Sequence, residues 1–447
     1  MFHFIGIGGV GMAAVAELLA ARGQSVAGSD RAASANTARL ERAGVTVFIG
    51  HDRQNVDEDA VIVVSSAITD QNPELAVARS RGQRIIHRSQ ALALAASGLD
   101  FVAVAGAHGK TTTSGMLAVA LLEAGLDPSY AVGSTLPGGA SGARLGDGDV
   151  FVAEADESDG SFLNYTPTIE IVLNVEPDHL DHYGGVEAFE QAFADFAELR
   201  PHGGLLIGCS DDPGARRLLE SAGGRRWSYG TDGAPAGVEA HVALEITGPS
   251  TGSLTLIKGG ETAQAELVLA MPGDHMLRNA AAAWAAGIEL GVDPAVMADS
   301  LGMFTGTGRR FEDRGTVRGV QVIDDYAHHP TEVRATLEAA RAQAEGRLLV
   351  LFQPHLYSRT ENFKQEFASA LDLADEVIVT GVFGAREEPV DGIDGHIITD
   401  RMVRGSFVED MHLAAAQIAA MAEPGDLIMT MGAGSVTTLV PEILAVL

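Results

Sequence analysis

The nine residues Ala105–Thr113 have the sequence AGAHGKTTT; they follow the apolar segment Phe101–Ala105 and precede a helical pattern. A glycine-rich turn between a strand and a helix lets backbone N–H groups approach phosphate oxygens, and the helix N-terminus adds positive charge. Lys110 can reach the β- and γ-phosphates, and the Thr111 hydroxyl can ligate Mg²⁺. Val104 stands where the strict pattern has glycine. The stretch therefore predicts a shortened phosphate-binding loop in an α/β fold; the alternative is a tight turn with a surface lysine.

The composition is typical of a globular protein with several domains. The 447 residues are 46% apolar, which is enough to bury a core in each domain. Sixty acidic against 30 basic residues give a net charge of −30, which would repel nucleic acid and anionic lipid. The single cysteine, Cys209, excludes an internal disulfide, and the apolar runs are shorter than the ~18 residues of a membrane helix. We therefore expect a cytoplasmic protein that binds no nucleic acid and does not insert into membranes; the oligomeric state stays open.

Hydrophobic periodicity divides the chain into three α/β units. Residues 1–98 alternate short apolar strands with helical stretches. Residues 99–312 carry the phosphate loop, and the period-two alternation between Val238 and Val268 predicts antiparallel strands within or beside this unit. Residues 313–447 again alternate strands and helices, including a helix predicted over residues 362–373.

Two further predicted strands end in metal-binding residue types. The segment Ala153–Gly160 contains four carboxylates in EADESDG, and residues 176–182, EPDHLDH, follow the predicted strand Ile169–Val175. Open α/β sheets bind ligands at the carboxyl ends of their strands, so both segments are expected to meet the phosphate loop. Hard oxygen ligands suit Mg²⁺. The sequence predicts a magnesium site; the alternative is a solvated acidic loop.

A second glycine-rich turn opens the chain. Residues Gly6–Gly11, GIGGVG, separate a strand predicted over Phe2–Ile7 from a helix, and Asp30 ends the next strand. Such a turn binds a diphosphate, and its spacing allows UDP as readily as NAD. A nicotinamide-dependent oxidoreductase is therefore one hypothesis, although it leaves the phosphate loop unexplained.

Two polar strand ends in the last third of the chain predict a pocket for a small polar ligand and for a nucleotide. They are Asp324–Pro330, DDYAHHP, and Phe352–Thr360, FQPHLYSRT. Any one of these histidines could instead be a structural hydrogen-bonding group.

Together these motifs resemble the Mur ligase family along the whole chain. The resemblance rests on GIGGVGM, AGAHGKTTT, EADESDGSF, NVEPDHLDHY, GTGRRF, DDYAHHPTE and FQPHLYSRT. It implies the α/β three-domain Mur ligase architecture: a Rossmann-like UDP-sugar domain (1–98), a P-loop ATPase-like central domain that binds ATP (99–312) and a Rossmann-like domain for ATP and the amino acid (313–447). EADESD and DDYAHHP are most similar to the members that add L-alanine.

The resemblance implies an ATP-dependent amide ligase in peptidoglycan precursor synthesis, and hence a part in cell-wall biogenesis, cell shape and division. ATP would convert the lactyl carboxylate of UDP-N-acetylmuramate into an acyl phosphate, which L-alanine then attacks. One alternative within the family attaches a preformed murein peptide to the same sugar nucleotide. Another, from a different class, is a binding module switched by slow ATP hydrolysis.

The resemblance also implies roles for individual residues. The catalytic residues would be Lys110, Glu154 and His179. Two Mg²⁺ ions are implied, with Thr111 on the first and Glu154 and His179 on the second. The ATP site would comprise Gly106, His108, Gly109, Lys110, Thr111, Thr112, Asn279, Arg310 and Asp325. The sugar-nucleotide and amino-acid sites would comprise Gly6, Gly8, Gly9, Gly11, Asp30, Ser66, His182, Tyr326, His328, His355 and Arg359.

The chain departs from the family pattern at three points. Met276 stands where an asparagine is usual, and Leu356 stands where an arginine is often found. The third departure is the absence of any lysine between Lys110 and Lys258, where other members carry a carbamylated lysine near the second metal. A group other than lysine, or water, must complete that metal shell.

Overall fold

The computed structural model describes residues 1–178, 180–385 and 387–447. They form two compact units, the first of residues 1–247, 251–270 and 278–305 and the second of residues 248–250, 271–277 and 306–447. Within these residues the strands assemble into three sheets. The mixed α/β fold class is thus confirmed, while the domain boundaries at residues 98 and 312 stay a prediction.

The first sheet is parallel and has the strand order β3-β2-β1-β4-β5 among the described residues. Its strands are β1 Phe2–Ile5, β2 Val26–Asp30, β3 Thr46–Ile49, β4 Val61–Val64 and β5 Ile85–His87. Its helices are α1 Val10–Ala21, α2 Ala35–Arg42, α3 Pro73–Ser80 and α4 Arg88–Ala96. The strand order reverses beside β1. Strand β1 ends at Ile5, two residues earlier than predicted, because Gly6 turns the chain at a φ of +82°. The glycine turn therefore lies at the switch point, where α/β sheets bind ligands.

The second sheet also belongs to the first unit, and its order over the described strands is β15-β14-β13-β12-β11-β10-β6-β9-β7-β8. The strands are β6 Asp100–Ala105, β7 Ser129–Ala131, β8 Ala143–Arg144, β9 Val150–Glu154, β10 Ile169–Val172, β11 Leu205–Cys209, β12 Arg225–Gly230, β13 Ala240–Gly248, β14 Thr251–Lys258 and β15 Glu261–Val268. The helices are α5 Lys110–Glu123, α6 Leu180–Tyr183, α7 Val186–Ala197, α8 Pro213–Ser221, α9 Asp274–Glu289 and α10 Pro294–Gly302. The antiparallel pair β14 and β15 confirms the period-two prediction. Strand β6 lies between β9 and β10 and is parallel to both, so three loops leave the sheet side by side.

The third sheet lies in the second unit and has the order β16-β17-β21-β18-β19-β20 among the described strands. The strands are β16 Glu312–Val317, β17 Val320–Asp325, β18 Leu348–Phe352, β19 Glu376–Val379, β20 Ser406–Phe407 and β21 Leu427–Met431. The helices are α11 Pro330–Gln343, α12 Tyr357–Asn362, α13 Lys364–Leu371, α14 His396–Thr399, α15 Met411–Met421 and α16 Val440–Val446. The helix predicted over 362–373 begins later, because Phe363 leaves the helical conformation (φ −115°, ψ 20°) and packs against the core.

The cores are apolar, and most of the buried positions lie on the sheets and their covering helices. Trp227, Trp284, Phe162 and Phe352 are among the fully buried aromatic side chains. Among the helices of the described residues, none combines the length and the hydrophobicity that a bilayer span requires.

Glu74 is a buried carboxylate at the centre of a polar network under the first sheet. Its Oε2 accepts a hydrogen bond from the Ser29 hydroxyl and lies 3.0 Å from His3 Nε2. Its Oε1 accepts from the Asp52 N–H and from the Asn55 amide at 3.1 and 2.8 Å. Burial opposes ionisation of Glu74, but the hydrogen bonds from His3, Ser29 and Asn55 outweigh it and hold the pKa below its ordinary value of 4.5.

We expect Glu74→Gln to lower the free energy of unfolding at pH 7 by roughly 1–3 kcal/mol, because the amide nitrogen would face hydrogen-bond donors. Because the folded-state pKa of Glu74 lies below 4.5, ionisation of Glu74 stabilises the fold fully above pH 4.5. This stabilisation is lost as the pH falls through the folded-state pKa. The difference between wild type and variant should therefore shrink in acid. Thermal melting at pH 7 and pH 4 measures it, and Glu41→Gln on the exposed surface of α2 is the control. A difference that is the same at both pH values would contradict this account.

Candidate functional site

The glycine turn after β1 is held in place by Asp30. The Gly8 N–H donates to Asp30 Oδ2 at 2.8 Å, and a Cβ at Gly8 would lie 2.9 Å from the same oxygen. Gly9 precedes the first residue of α1. The carboxylate that the sequence predicts for substrate binding thus fixes the turn that would hold a diphosphate.

Two other residues predicted to bind the sugar nucleotide lie against the loop after β9. The Ser66 hydroxyl donates to Asp159 Oδ2 at 2.6 Å. His182 is exposed, and its Nε2 would be 3.4 Å from a Cβ at Gly160. Both residues therefore lie beside the segment that carries the predicted metal ligand Glu154.

The phosphate loop has the predicted strand–turn–helix form. Gly106 and Gly109 have φ values of +140° and +83°, which side chains rarely adopt, and α5 begins at Lys110. A Cβ at Gly106 would lie 3.1 Å from Leu173 and 3.2 Å from the Asn174 nitrogen. Glycine is thus required at both positions, since the loop after β10 packs directly on them.

The loop after β10 also fixes His108. The His108 N–H donates to Asn174 Oδ1 at 3.0 Å, and the Asn174 amide donates back to the His108 carbonyl at 3.1 Å. His108 Nε2 lies 3.0 Å from Glu176 Oε2. Asn279 also borders the turn, with its Oδ1 3.1 Å from the position of a Cβ at Gly109. Two predicted ATP-site residues therefore border the loop directly.

Lys110 is held back against its own loop by a buried carboxylate. Its Nζ donates to the Gly106 carbonyl at 2.6 Å and lies 2.8 Å from Glu157 Oε2. Burial alone would lower the pKa of Lys110, but Glu157 and Asp156 outweigh it and raise that pKa. Burial also raises the pKa of Glu157, whose side chain is 1% exposed. The lysine stays charged and points along the loop that would cradle phosphates.

Thr111 and Glu154, the two described residues among the predicted metal ligands, are in contact. The Thr111 hydroxyl donates to Glu154 Oε2 at 3.1 Å, and Glu154 Oε1 accepts from the Gly133 N–H. The contact brings a hydroxyl and a carboxylate together beside the phosphate loop, and both offer the oxygen donors that Mg²⁺ prefers. His179, the third predicted ligand, lies outside the described residues. Thr112, the next residue of the loop, is buried.

In the second unit, Tyr326 lies between two guanidinium groups. The Cζ atoms of Arg309 and Arg310 are 4.8 and 4.6 Å from its ring centroid. Asp325, before it, accepts the N–H groups of Phe311 and Ala327 at 2.7 Å with its two oxygens. Burial raises the pKa of Asp325 to about 6 in spite of Arg310. Asp325 therefore orders the backbone around the arginines, and its predicted contact with the ATP ribose stays a prediction.

The residues predicted to bind the amino acid cluster at the ends of β17 and β18. The His328 ring lies 5.2 Å from that of Tyr326 and 5.6 Å from that of His355, whose Nδ1 is 3.4 Å from Arg359 Nη1. His328 Nδ1 lies 3.2 Å from Glu332, yet burial lowers the pKa of His328 well below 6.5. The cluster thus places the uncharged ring of His328 and the ring of His355 near the buried Arg359.

Leu356 has a φ of +69°, an uncommon value for a residue with a Cβ. Its N–H donates to the Phe383 carbonyl at 3.0 Å, and the His355 ring stacks on the Phe383 ring at 5.8 Å. This backbone geometry turns the chain so that α12 begins at once and brings Arg359 back toward His355.

Three residues in these contacts were not assigned from the sequence. Glu157 and Asn174 lie in motifs that identified the loops, but the residue types alone did not say which carboxylate or amide would contact Lys110 or His108. Arg88, which approaches Gly11, belongs to none of these motifs. Its position depends on how β5 and α4 are placed, which sequence spacing does not disclose.

Profiles of known families match most of the chain. Residues 1–99 match "Mur ligase family, catalytic domain", residues 104–287 match "Mur ligase middle domain", and residues 309–434 match "Mur ligase, glutamate ligase domain". The three matches follow one another in the order that the motifs predict.

Individual proteins support the same assignment. A UDP-N-acetylmuramate–L-alanine ligase of Kineococcus radiotolerans is 51% identical over 100% of this chain and 96% of its own length. The crystal structure of a UDP-N-acetylmuramate-alanine ligase from Thermotoga maritima matches with a TM-score of 0.78 and 28% identity, over 99% and 98% of the two chains. A murein peptide ligase from Psychrobacter arcticus matches with a TM-score of 0.72 and 25% identity, over 100% and 98%. The phosphate loop, the acidic strand ends and these full-length similarities lead to one conclusion: the chain belongs to the Mur ligase family.

Proposed function

We propose that this protein is an ATP-dependent ligase that joins L-alanine to UDP-N-acetylmuramate. The observation that carries the proposal is 51% identity over the whole chain to a relative of that name. The contacts of Lys110, Thr111 and Glu154 at adjacent strand ends supply the phosphate-handling geometry that the reaction needs.

The chemistry requires two steps. A carboxylate is a poor acyl donor, so its oxygen first attacks the γ-phosphorus of ATP, which gives an acyl phosphate and ADP. The amine of L-alanine then attacks the acyl carbon, and the collapse of the tetrahedral intermediate breaks the bond to phosphate and leaves an amide. Both steps move negative charge, which preorganised cations must stabilise.

Lys110 is the cation on the phosphate loop. Its ammonium is paired with Glu157, and the γ-phosphate would compete with that carboxylate for it. Backbone N–H groups of the loop, with glycine at positions 106 and 109, would hold the remaining phosphate oxygens.

Two Mg²⁺ ions complete the proposed site. Thr111 would hold the first, and Glu154 with His179 would hold the second. Bound Mg²⁺ supplies charge neutralisation at the transferring phosphoryl group. The hydrogen bond between Thr111 and Glu154 supports this proposal, because it puts the ligand proposed for one ion next to a ligand proposed for the other.

In the second unit, Arg359 is the proposed partner of the alanine carboxylate, with Tyr326, His328 and His355 around the amino acid. Arg310 is proposed to contact phosphate. The remaining proposed ATP contacts are His108, Thr112, Asn279 and Asp325, and the proposed sugar-nucleotide contacts are Gly6, Gly8, Gly9, Gly11, Asp30, Ser66 and His182. This activity places the protein in peptidoglycan precursor synthesis in the cytoplasm, and so in cell-wall biogenesis, cell shape and division.

Attachment of a preformed murein peptide is the competing activity within the family. The match to the Psychrobacter arcticus ligase spans the whole chain, but its sequence identity is 25%. The identity to the alanine ligase of Kineococcus radiotolerans is 51%. The oxidoreductase hypothesis accounts for the first glycine turn alone and leaves the phosphate loop without a function.

Phosphate release from ATP and Mg²⁺ tests the proposal directly, with UDP-N-acetylmuramate and either L-alanine, glycine, L-serine or a murein tripeptide added in turn. We expect release that requires both the sugar nucleotide and L-alanine, and a product heavier by one alanyl residue in mass analysis. A preference for the tripeptide would assign the peptide ligase activity instead. Phosphate release at the same rate with every amine, and without any, would support a binding module switched by ATP hydrolysis.

Lys110→Ala should reduce turnover by roughly 10³-fold or more, because the charge on the transferring phosphoryl group would lose its cation. The variant should still bind UDP-N-acetylmuramate, which calorimetry measures. Since the variant leaves Glu157 buried without its partner, the double variant Lys110→Ala/Glu157→Gln keeps the test valid if the single one unfolds. Lys258→Ala, which removes an exposed lysine paired with Glu239, is the control. Loss of sugar-nucleotide binding in the double variant would point to misfolding.

Thr111→Ala should raise the Mg²⁺ concentration needed for half-maximal turnover, whereas Thr111→Ser, which keeps the hydroxyl, should resemble wild type. Titration of Mg²⁺ at saturating ATP measures both. His179→Ala should shift the requirement in the same direction. An unchanged Mg²⁺ dependence in Thr111→Ala would remove that hydroxyl from the metal site.

A further inference from the structure

Arg88 lies against the glycine turn of the first sheet. It is the first residue of α4, and a Cβ built at Gly11 would contact its Nη1 and lie 3.3 Å from its Cζ. The absence of a side chain at Gly11 is therefore what lets the guanidinium rest on the turn. The side chain of Arg88 is 29% exposed, so a ligand in the turn could reach it.

The turn itself lacks a positive side chain. Residues 6–11, GIGGVG, contain no charged group, and the first turn of α1 contains no acidic one. Backbone N–H groups and a helix N-terminus, which is equivalent to about half a positive charge, offset only part of the negative charge of a diphosphate. A planar guanidinium matches phosphate oxygens in a bidentate manner, and Arg88 places one beside the turn.

The same guanidinium reaches the acidic segment Asp156–Asp159 after β9. Arg88 Nη2 lies 3.6 Å from Asp156 Oδ2, which is an ion-pair distance but longer than a hydrogen bond. Arg88 is attracted to the segment without being locked to it.

A second contact joins the same two regions. The Ser66 hydroxyl donates to Asp159 Oδ2 at 2.6 Å, and His87 Nε2, next to Arg88, lies 3.7 Å from that oxygen. Glu157, between the two aspartates, binds Lys110 of the phosphate loop. The acidic segment therefore contacts both the region proposed for the sugar nucleotide and the lysine proposed for ATP.

We propose that Arg88 binds the diphosphate of the sugar nucleotide and, through Asp156, couples occupancy of that site to the phosphate loop. This inference rests on the proposed function, because it needs a diphosphate in the glycine turn. A ligand that draws the guanidinium toward its phosphates weakens the ion pair between Arg88 and Asp156. The carboxylate of Asp156 is then less neutralised by Arg88, and the electrostatic potential at Lys110 becomes more negative. Arg88 is thus both a substrate contact and a positioning residue for the ATP site.

Arg88→Met, which keeps an apolar stem and removes the charge, tests the contact. Affinities for uridine, UDP and UDP-N-acetylmuramate are measured by NMR titration of the whole chain. We expect the affinity for UDP and for the sugar nucleotide to fall roughly 10- to 100-fold and that for uridine to stay unchanged. Arg79→Met is the matched control, since Arg79 forms an exposed pair with Asp70 in the same region of the fold.

Equal losses for uridine and UDP in Arg88→Met, or no loss for either, would overturn the contact and leave Arg88 a structural residue. Arg88→Gln, which also removes the charge but keeps a polar side chain, provides the same comparison if the methionine variant does not fold. A wild-type protein that binds neither UDP nor UDP-N-acetylmuramate would instead overturn the proposed function.

Asp156→Asn tests the coupling. The ratio of affinities for a non-hydrolysable ATP analogue with and without UDP-N-acetylmuramate should differ from one in wild type and in Arg79→Met. This affinity ratio should approach one in both Arg88→Met and Asp156→Asn. The affinity of Asp156→Asn for UDP should stay the same as that of wild type. A ratio that persists in both variants would overturn the coupling through Asp156.

Discussion

The parallel pairing of β6 with both β9 and β10 is the constraint on which the phosphate site depends. Because all three strands run in the same direction, the loops that follow them leave the sheet at the same edge. The loop after β10 packs on Gly106 so closely that a side chain there would strike Leu173 and Asn174. The conformation of the phosphate loop is therefore imposed by its neighbour as much as by its own glycines.

Charge at this edge is arranged so that one cation is shared among several carboxylates. Lys110 lies against Glu157, and the adjacent Asp156 adds to the potential that keeps it protonated. In a low-dielectric site an unpaired ammonium would be costly, so Glu157 compensates it until a phosphate can take that place. Thr111 and Glu154 similarly form a hydrogen bond with each other, and both offer oxygen donors. Lys110 and Thr111 thus each contact a carboxylate, and both would exchange that contact when a nucleotide binds.

Much of this arrangement followed from residue patterns. The strand–GxxGKT–helix sequence predicted the form of the loop and the position of Lys110 at the start of α5, because the chemistry of phosphate binding restricts which residues can follow a buried strand. The roles of Lys110 and Thr111 stay predictions. The alternation between Val238 and Val268 predicted β14 and β15, since period two reflects side chains on opposite faces of a strand. Strand ends were less predictable: Ile7 is buried like a strand residue, but Gly6 had already turned the chain. The break at Phe363 was missed because packing of its partly buried ring against the core outweighed a continuous helical pattern.

The sequence by itself determined the class of fold, the positions of the phosphate loop and the glycine turn, and membership of the family, because these depend on local backbone requirements and on short motifs. Only the tertiary structure decided which side chains meet. It paired Lys110 with Glu157 rather than with another of the four nearby carboxylates, assigned Asp30 to the Gly8 N–H, and brought Arg88 from the start of α4 onto Gly11. Those contacts join residues from separate strands, and their distances are set by sheet order and packing, which no spacing along the chain encodes.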